Sequence, residues 1–195
     1  MDNSNTTSFF NKYKKTIIIL ILLFVCCYIT YLLWMPNRIK FKIKKFEQTY
    51  SEYLKKDQID FCTSDRYKNT VVADFFISSS YNPISIGFLK YDYVSKNMIE
   101  TTIIYGARYI ELEILDFELK NKTVPVIGIA NETGYMTNSQ NVLSCDEVFS
   151  TIKEVAFSQR YIDNYKDPFF IFLNIKTKNT NTLDQLCMII KKYLH

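Results

Sequence analysis

Histidine is nearly absent from this chain: the only one is His195, the last of 195 residues. A reaction that needs two imidazoles therefore has no second one to use. Cysteine is also sparse. The five cysteines are an odd number with no metal-like spacing, two of them (Cys26 and Cys27) side by side in an apolar run and three (Cys62, Cys145, Cys187) scattered. That excludes a disulfide framework and fits a reducing compartment. There is no long Lys/Arg run in the body of the chain and the net charge is only +4, so nothing points to nucleic acid. Glycine is rare, at 4 residues, among many Ile, Asn, Lys and Tyr. This reflects base composition and carries no functional signal. What is present is apolar: 48% hydrophobic and 16% aromatic residues are enough for a packed core, and the length fits one domain plus an extra segment.

The extra segment is residues 16–35, TIIILILLFVCCYITYLLWM, 20 residues without a charge. A hydrocarbon core of about 30 Å takes roughly 20 apolar residues in a helix. Lys12, Lys14 and Lys15 precede the run, and Arg38, Lys40, Lys42, Lys44 and Lys45 follow it. Trp34, Tyr28 and Tyr31 crowd its C-terminal end as an interfacial belt does. The run is too long for a signal peptide and is followed by no small-residue cleavage site, and none of its faces is polar, so a single-pass anchor is expected. The heavier basic flank on the C-terminal side places the body in the cytoplasm. Two sequons, at Asn121 and Asn131, would matter only for a lumenal body.

The expected organisation is a polar, basic tail over residues 1–15, the membrane helix over 16–35, a basic stalk and loop over 36–70, and an α/β domain over 71–195. In the stalk, Ile43, Phe46, Tyr50 and Leu54 recur at helical spacing, which fits a solvated linker helix or one lying on the bilayer surface. Beyond it, strands are predicted over 71–79, 107–115, 123–130 and 168–176, and helices over 93–105, 146–157 (capped by Ser144) and 182–194. Strands alternating with helices imply βαβ units and a parallel sheet. In the second strand Glu111 and Glu113 share a face, opposite Ile110, Leu112 and Ile114. Two such carboxylates can hold a hard cation or can simply be exposed on an edge.

Four segments in register resemble the X half of phosphoinositide-specific phospholipase C. They are Phe76-Ile77-Ser78-Ser79-Ser80-Tyr81-Asn82, Gly106-Ala107-Arg108-Tyr109-Ile110-Glu111-Leu112-Glu113-Ile114-Leu115-Asp116, Ile152-Lys153-Glu154-Val155-Ala156-Phe157 and Phe169-Phe170-Ile171-Phe172-Leu173-Asn174. The resemblance covers roughly residues 70–194. It implies half of a TIM-like (βα) barrel with about four parallel strands, behind the N-terminal transmembrane helix. It implies that Asn82, Glu111, Glu113 and Asn174 stand at calcium-ligand positions. Because Asn174 replaces a ligating Glu, any calcium would be weakly held. Tyr81 stands at the first catalytic histidine position, and Ile129 or Tyr135 at the second. Arg108 is a candidate for binding a ligand in the same cleft or for a buried ion pair.

Losing one positioned acid or base costs a factor of about 10² to 10⁴, so the resemblance implies a scaffold that no longer catalyses. It would bind an inositol phospholipid or a partner protein, with a second copy or another protein completing the half-barrel. The rival expectation is an active phosphodiesterase with a rebuilt site, in which Tyr81 or Tyr135 works with Glu111, Glu113 and a metal. A third is a structural membrane protein that kept only the fold.

Overall fold

The computed structural model describes residues 3–54, 67, 69–87, 89–131 and 138–194. It divides into two units, Met1–Phe41 and Lys42–His195. Helix α1 (Asn3–Leu54) supplies the first and contributes its last turns to the second. It is the one helix, among the described residues, long and apolar enough to cross a membrane. Its apolar side chains from Ile17 to Trp34 are exposed. Most of the loop expected over 57–70 lies outside the described residues.

The second unit is a mixed α/β body built on β2 (Tyr109–Leu119). On one side β2 pairs in parallel with β5 (Phe170–Ile175). Its other edge is shared. The short β1 (Ser79–Tyr81) pairs in parallel with Tyr109–Glu111, and β3 (Lys122–Gly128) pairs antiparallel with Glu113–Leu119. A two-residue β4 (Leu143–Ser144) extends β3 outward.

Helices α2 (Lys96–Ile104), α3 (Cys145–Ala156) and α4 (Thr180–Leu194) form the second layer. The face of β2 that carries Ile110, Leu112 and Ile114 is wholly buried with Ile127, Val148, Phe149 and Ile152. Period-2 alternation on the strand and 3.6-residue periodicity on α3 meet in this core.

Two expectations are corrected. Three strands are parallel, not four, because β3 runs antiparallel to β2. The reason is local: β2 continues to Leu119 and only Lys120 and Asn121 separate it from β3. Both have positive φ, 48° and 61°, the conformation of a type I′ hairpin turn. A parallel return needs a crossover of a dozen or more residues, which this connection lacks. The first strand is also far shorter than 71–79. Val71, Val72 and Phe76 are exposed, and residues 72–74 form a 3₁₀ turn in which the Val71 N–H donates to Asp74 Oδ2 at 3.1 Å. Pairing begins only where β2 does, with Arg108 N and Tyr109 N donating to Ser78 O.

The N-cap of α3 is Ser144 by position, but its hydroxyl makes no capping bond. Asp146 and Glu147 in the first turn complement the helix dipole instead. Asp146 also accepts from Lys192 Nζ and Tyr193 Oη, each at 2.8 Å, tying α3 to α4. The Lys192 bond is the main reason its carboxyl sits below the ordinary range.

Candidate functional site

The open face of the sheet carries the polar residues. Strand register sets them in two rows. Tyr81, Glu111 and Phe172 are aligned across β1, β2 and β5, and Gly128, Glu113 and Asn174 are aligned across β3, β2 and β5. Residues paired in register share a face, so Tyr81, both glutamates and Asn174 converge where β1 and β5 run out. Tyr81 is 53% exposed and Phe172 49%, whereas Glu113 is 5% exposed.

Glu113 is committed at both oxygens. Tyr81 Oη donates to Oε1 at 3.1 Å, and the Ala130 N–H donates to Oε2 at 2.5 Å. The carboxylate thus ties the end of β1 to the segment after β3. Its partner hydroxyl is raised above the ordinary tyrosine value of 10.0, first by partial burial, then by the Glu113 charge and hydrogen bond, then by Glu111. The Asn82 amide, close to the same hydroxyl but making no hydrogen bond by geometry, acts in the opposite sense.

Because the folded value lies above the unfolded one, stability contributed by neutral Tyr81 is complete below pH 10 and is lost as pH rises through the higher folded value. The expected result is that the phenolate band of the native chain lags that of the unfolded chain on alkaline titration. The lag should shrink by one tyrosine in Tyr81→Phe and persist for Tyr105 and Tyr161, which are raised too, as ultraviolet difference spectra would show.

Asn82 follows β1 with φ 45°, a left-handed conformation that Asn tolerates better than most residues. Its N–H donates to Glu111 O at 3.0 Å and its carbonyl accepts from Ser85 N at 3.0 Å. The side chain is 2% exposed, yet neither Oδ1 nor Nδ2 has a hydrogen-bond partner.

Arg108 is not brought to this face. It is buried (7% exposed), with Nη1 donating to Ala156 O at 3.2 Å and Nη2 to Asn164 Oδ1, over the ring of Phe169. It closes the C-terminal end of α3, where backbone carbonyls lack helical partners. Ile129 is a core residue, 4% exposed, and offers hydrocarbon only. Tyr135 lies outside the described residues.

Sequence reasoning missed the partners of Arg108 and the second anchor of Glu113, both set by contacts distant in the chain. It also read Lys42 and Lys45 as flanking charge on a stalk helix, drawn to anionic lipid, and not as the wall of a cavity. Their spacing with Phe46 and Thr49, at i, i+3, i+4 and i+7, was the available signal of a helix face.

Among the described residues no group of three or more His, Cys, Asp or Glu side chains is placed to hold a metal. The glutamate pair with Asn82 and Asn174 is an oxygen-only set that fits a hard cation in donor type, with one of its two carboxylates already hydrogen-bonded at both oxygens. A scan against protein-family models gives no match, and a search of curated proteins finds none similar to the chain.

Proposed function

We propose that the chain is a single-pass membrane protein whose body is related to the first half of a phospholipase C barrel and has lost turnover. It keeps the fold to bind an inositol phospholipid headgroup or a partner protein. The observation that carries this reading is Tyr81. It occupies the position where the resemblance implies an imidazole, and there its phenol is hydrogen-bonded to Glu113 and shifted away from ionisation. A neutral phenol of raised pKa is a poor base near neutrality. The exposed apolar side chains of α1 support anchoring, and the basic C-terminal flank supports a cytoplasmic body.

A weak calcium site belongs to the same reading. Asn82, Glu111, Glu113 and Asn174 would hold the ion, with an affinity of roughly 10⁻⁴–10⁻³ M expected for so few charges. The outer edge of β5, beside the exposed Phe172, is where a second copy or another protein would complete the barrel.

The test is release of soluble inositol phosphate from phosphatidylinositol vesicles by the full-length chain, with and without calcium. No product above blank is expected. Product that disappears in Glu111→Gln would overturn the reading in favour of a rebuilt active site.

A further inference from the structure

Beside Tyr81 and Asn82 lies a cavity of about 440 Å³ within the second unit. That is in the range of small-molecule sites. One wall is the helix face formed by Lys42, Lys45, Phe46 and Thr49. The opposite wall comes from Ser80 to Pro83, Ser85 to Gly87 and Leu89, with Met98 and Thr102 of α2. The lining contains two lysines and no carboxylate.

We propose that this cavity binds a phosphate ester, with Lys42 and Lys45 supplying the charge and Asn82 a buried amide. Three observations carry the proposal. The first is Asn82, a residue of the cavity lining whose carboxamide is buried, at 2% exposure, with both polar atoms unpartnered. A buried polar group without a partner is costly, and a ligand oxygen would satisfy Nδ2.

The second is that the basic wall is held in place. The Phe46 ring meets Tyr105 edge-on at 5.8 Å, and Tyr105 Oη donates to Glu47 O at 3.2 Å. A preorganised cation loses less freedom when it binds. The third is the division of labour between the lysines. Lys42 Nζ lies beside Asp92 at Gly87, where an added Cβ would sit 3.3 Å from the ammonium and 3.1 Å from Asp92 Oδ2. Asp92 is itself buried, at 1% exposure. Among the described residues no carboxylate pairs with Lys45, whose charge is open to a ligand.

Lysine meets phosphate as a point charge, and a phosphate monoester carries up to two negative charges with several acceptor oxygens. Pro83, Ile86, Leu89 and Met98 give the cavity an apolar side suited to the carbon skeleton of the ester. A lipid headgroup and a free phosphate ester are both within this chemistry. The cavity shares Tyr81 and Asn82 with the site described above, but the inference does not rest on the family resemblance.

The experiment is lysine acetylation footprinting of the full-length chain in nanodiscs, read residue by residue by mass spectrometry. One arm adds inositol trisphosphate to neutral phosphatidylcholine discs. A second uses discs containing phosphatidylinositol bisphosphate, and a third uses phosphatidylserine discs of matched charge. Labelling of Lys45 and Lys42 is expected to slow about tenfold at saturation relative to Lys40 and Lys153. Lys45→Ala, at an exposed position where the fold does not depend on the side chain, should weaken protection of Lys42 by about tenfold, and Lys45→Arg should retain it.

Protection by the soluble ester identifies a free phosphate ester as a ligand. Protection only in phosphoinositide discs identifies a lipid headgroup. Absence of protection in both arms overturns the proposal. So does equal slowing at Lys40, Lys44 and Lys45 that phosphatidylserine reproduces, because that is diffuse attraction to a charged surface.

Discussion

Arg108→Ala is expected to lower the unfolding free energy of the body by about 3–5 kcal/mol, from two hydrogen bonds made by a charged donor and the orphaned groups left behind. The guanidinium is 7% exposed and serves two acceptors: the last-turn carbonyl of α3 at Ala156 and the Asn164 side chain. It also covers the Phe169 ring, so truncation removes packing as well as charge. A domain of this size has only about 5–15 kcal/mol in hand, so the loss should be visible as a large drop in thermal midpoint by circular dichroism in nanodiscs. Arg108→Lys keeps the charge but not the fork that spans both acceptors, and should lose roughly half as much. If Arg108 were held for a ligand instead, Arg108→Ala would leave the midpoint unchanged or raised and would weaken phosphoinositide binding alone.

What could be read from the chain, and what could not, divides by sequence distance. The two faces of β2 were legible because alternation is a property of neighbours: Ile110, Leu112 and Ile114 inward, Glu111 and Glu113 together on the other side. Helix α3 was legible for the same reason, since Val148, Phe149, Ile152 and Val155 recur at helical spacing and are buried. In α4 the expected stripe of Leu183, Leu186, Ile190 and Tyr193 has its most buried member in Leu186.

The first strand was not legible, because an apolar run becomes a strand only where another strand offers a ladder, and β2 offers one only from Ser79 on. The hairpin was partly legible. Its two-residue turn at Lys120 and Asn121 lacks the glycine that usually marks one, so the antiparallel return was hidden behind an ordinary-looking polar loop. For the candidate site, strand register could align Tyr81 with Glu111, but the bond from Tyr81 to Glu113 spans 32 residues and that from Arg108 to Asn164 spans 56. Contacts at such separations are decided by how the sheet assembles.

The second large effect is at Glu113, and its sign reports what the open face is for. If Glu113 is a tie between segments, Glu113→Ala leaves the Ala130 N–H and the Tyr81 hydroxyl without their acceptor, at a cost of about 2–4 kcal/mol for a charge-assisted pair. Glu113→Gln should cost far less, about 0.5–1.5 kcal/mol, because the amide carbonyl can still accept from Ala130 while the tyrosine hydroxyl turns to accept from the amide. Tyr81→Phe removes only the more exposed of the two bonds and should cost about 1 kcal/mol or less. A double-mutant cycle between Tyr81→Phe and Glu113→Ala should therefore show a coupling of at least about 0.5 kcal/mol.

If the face is instead kept for a cation, Glu111 and Glu113 are like charges two residues apart on one strand, held together at a cost to stability. Neutralising either would then raise the thermal midpoint, and Glu113→Gln would stabilise the chain while abolishing calcium binding. The hydrogen bonds at both oxygens of Glu113 favour the first outcome, and calcium at the proposed weak site would have to compete with them. Thermal midpoints of the two Glu113 variants, measured with and without calcium, separate a structural clasp from a site maintained against stability.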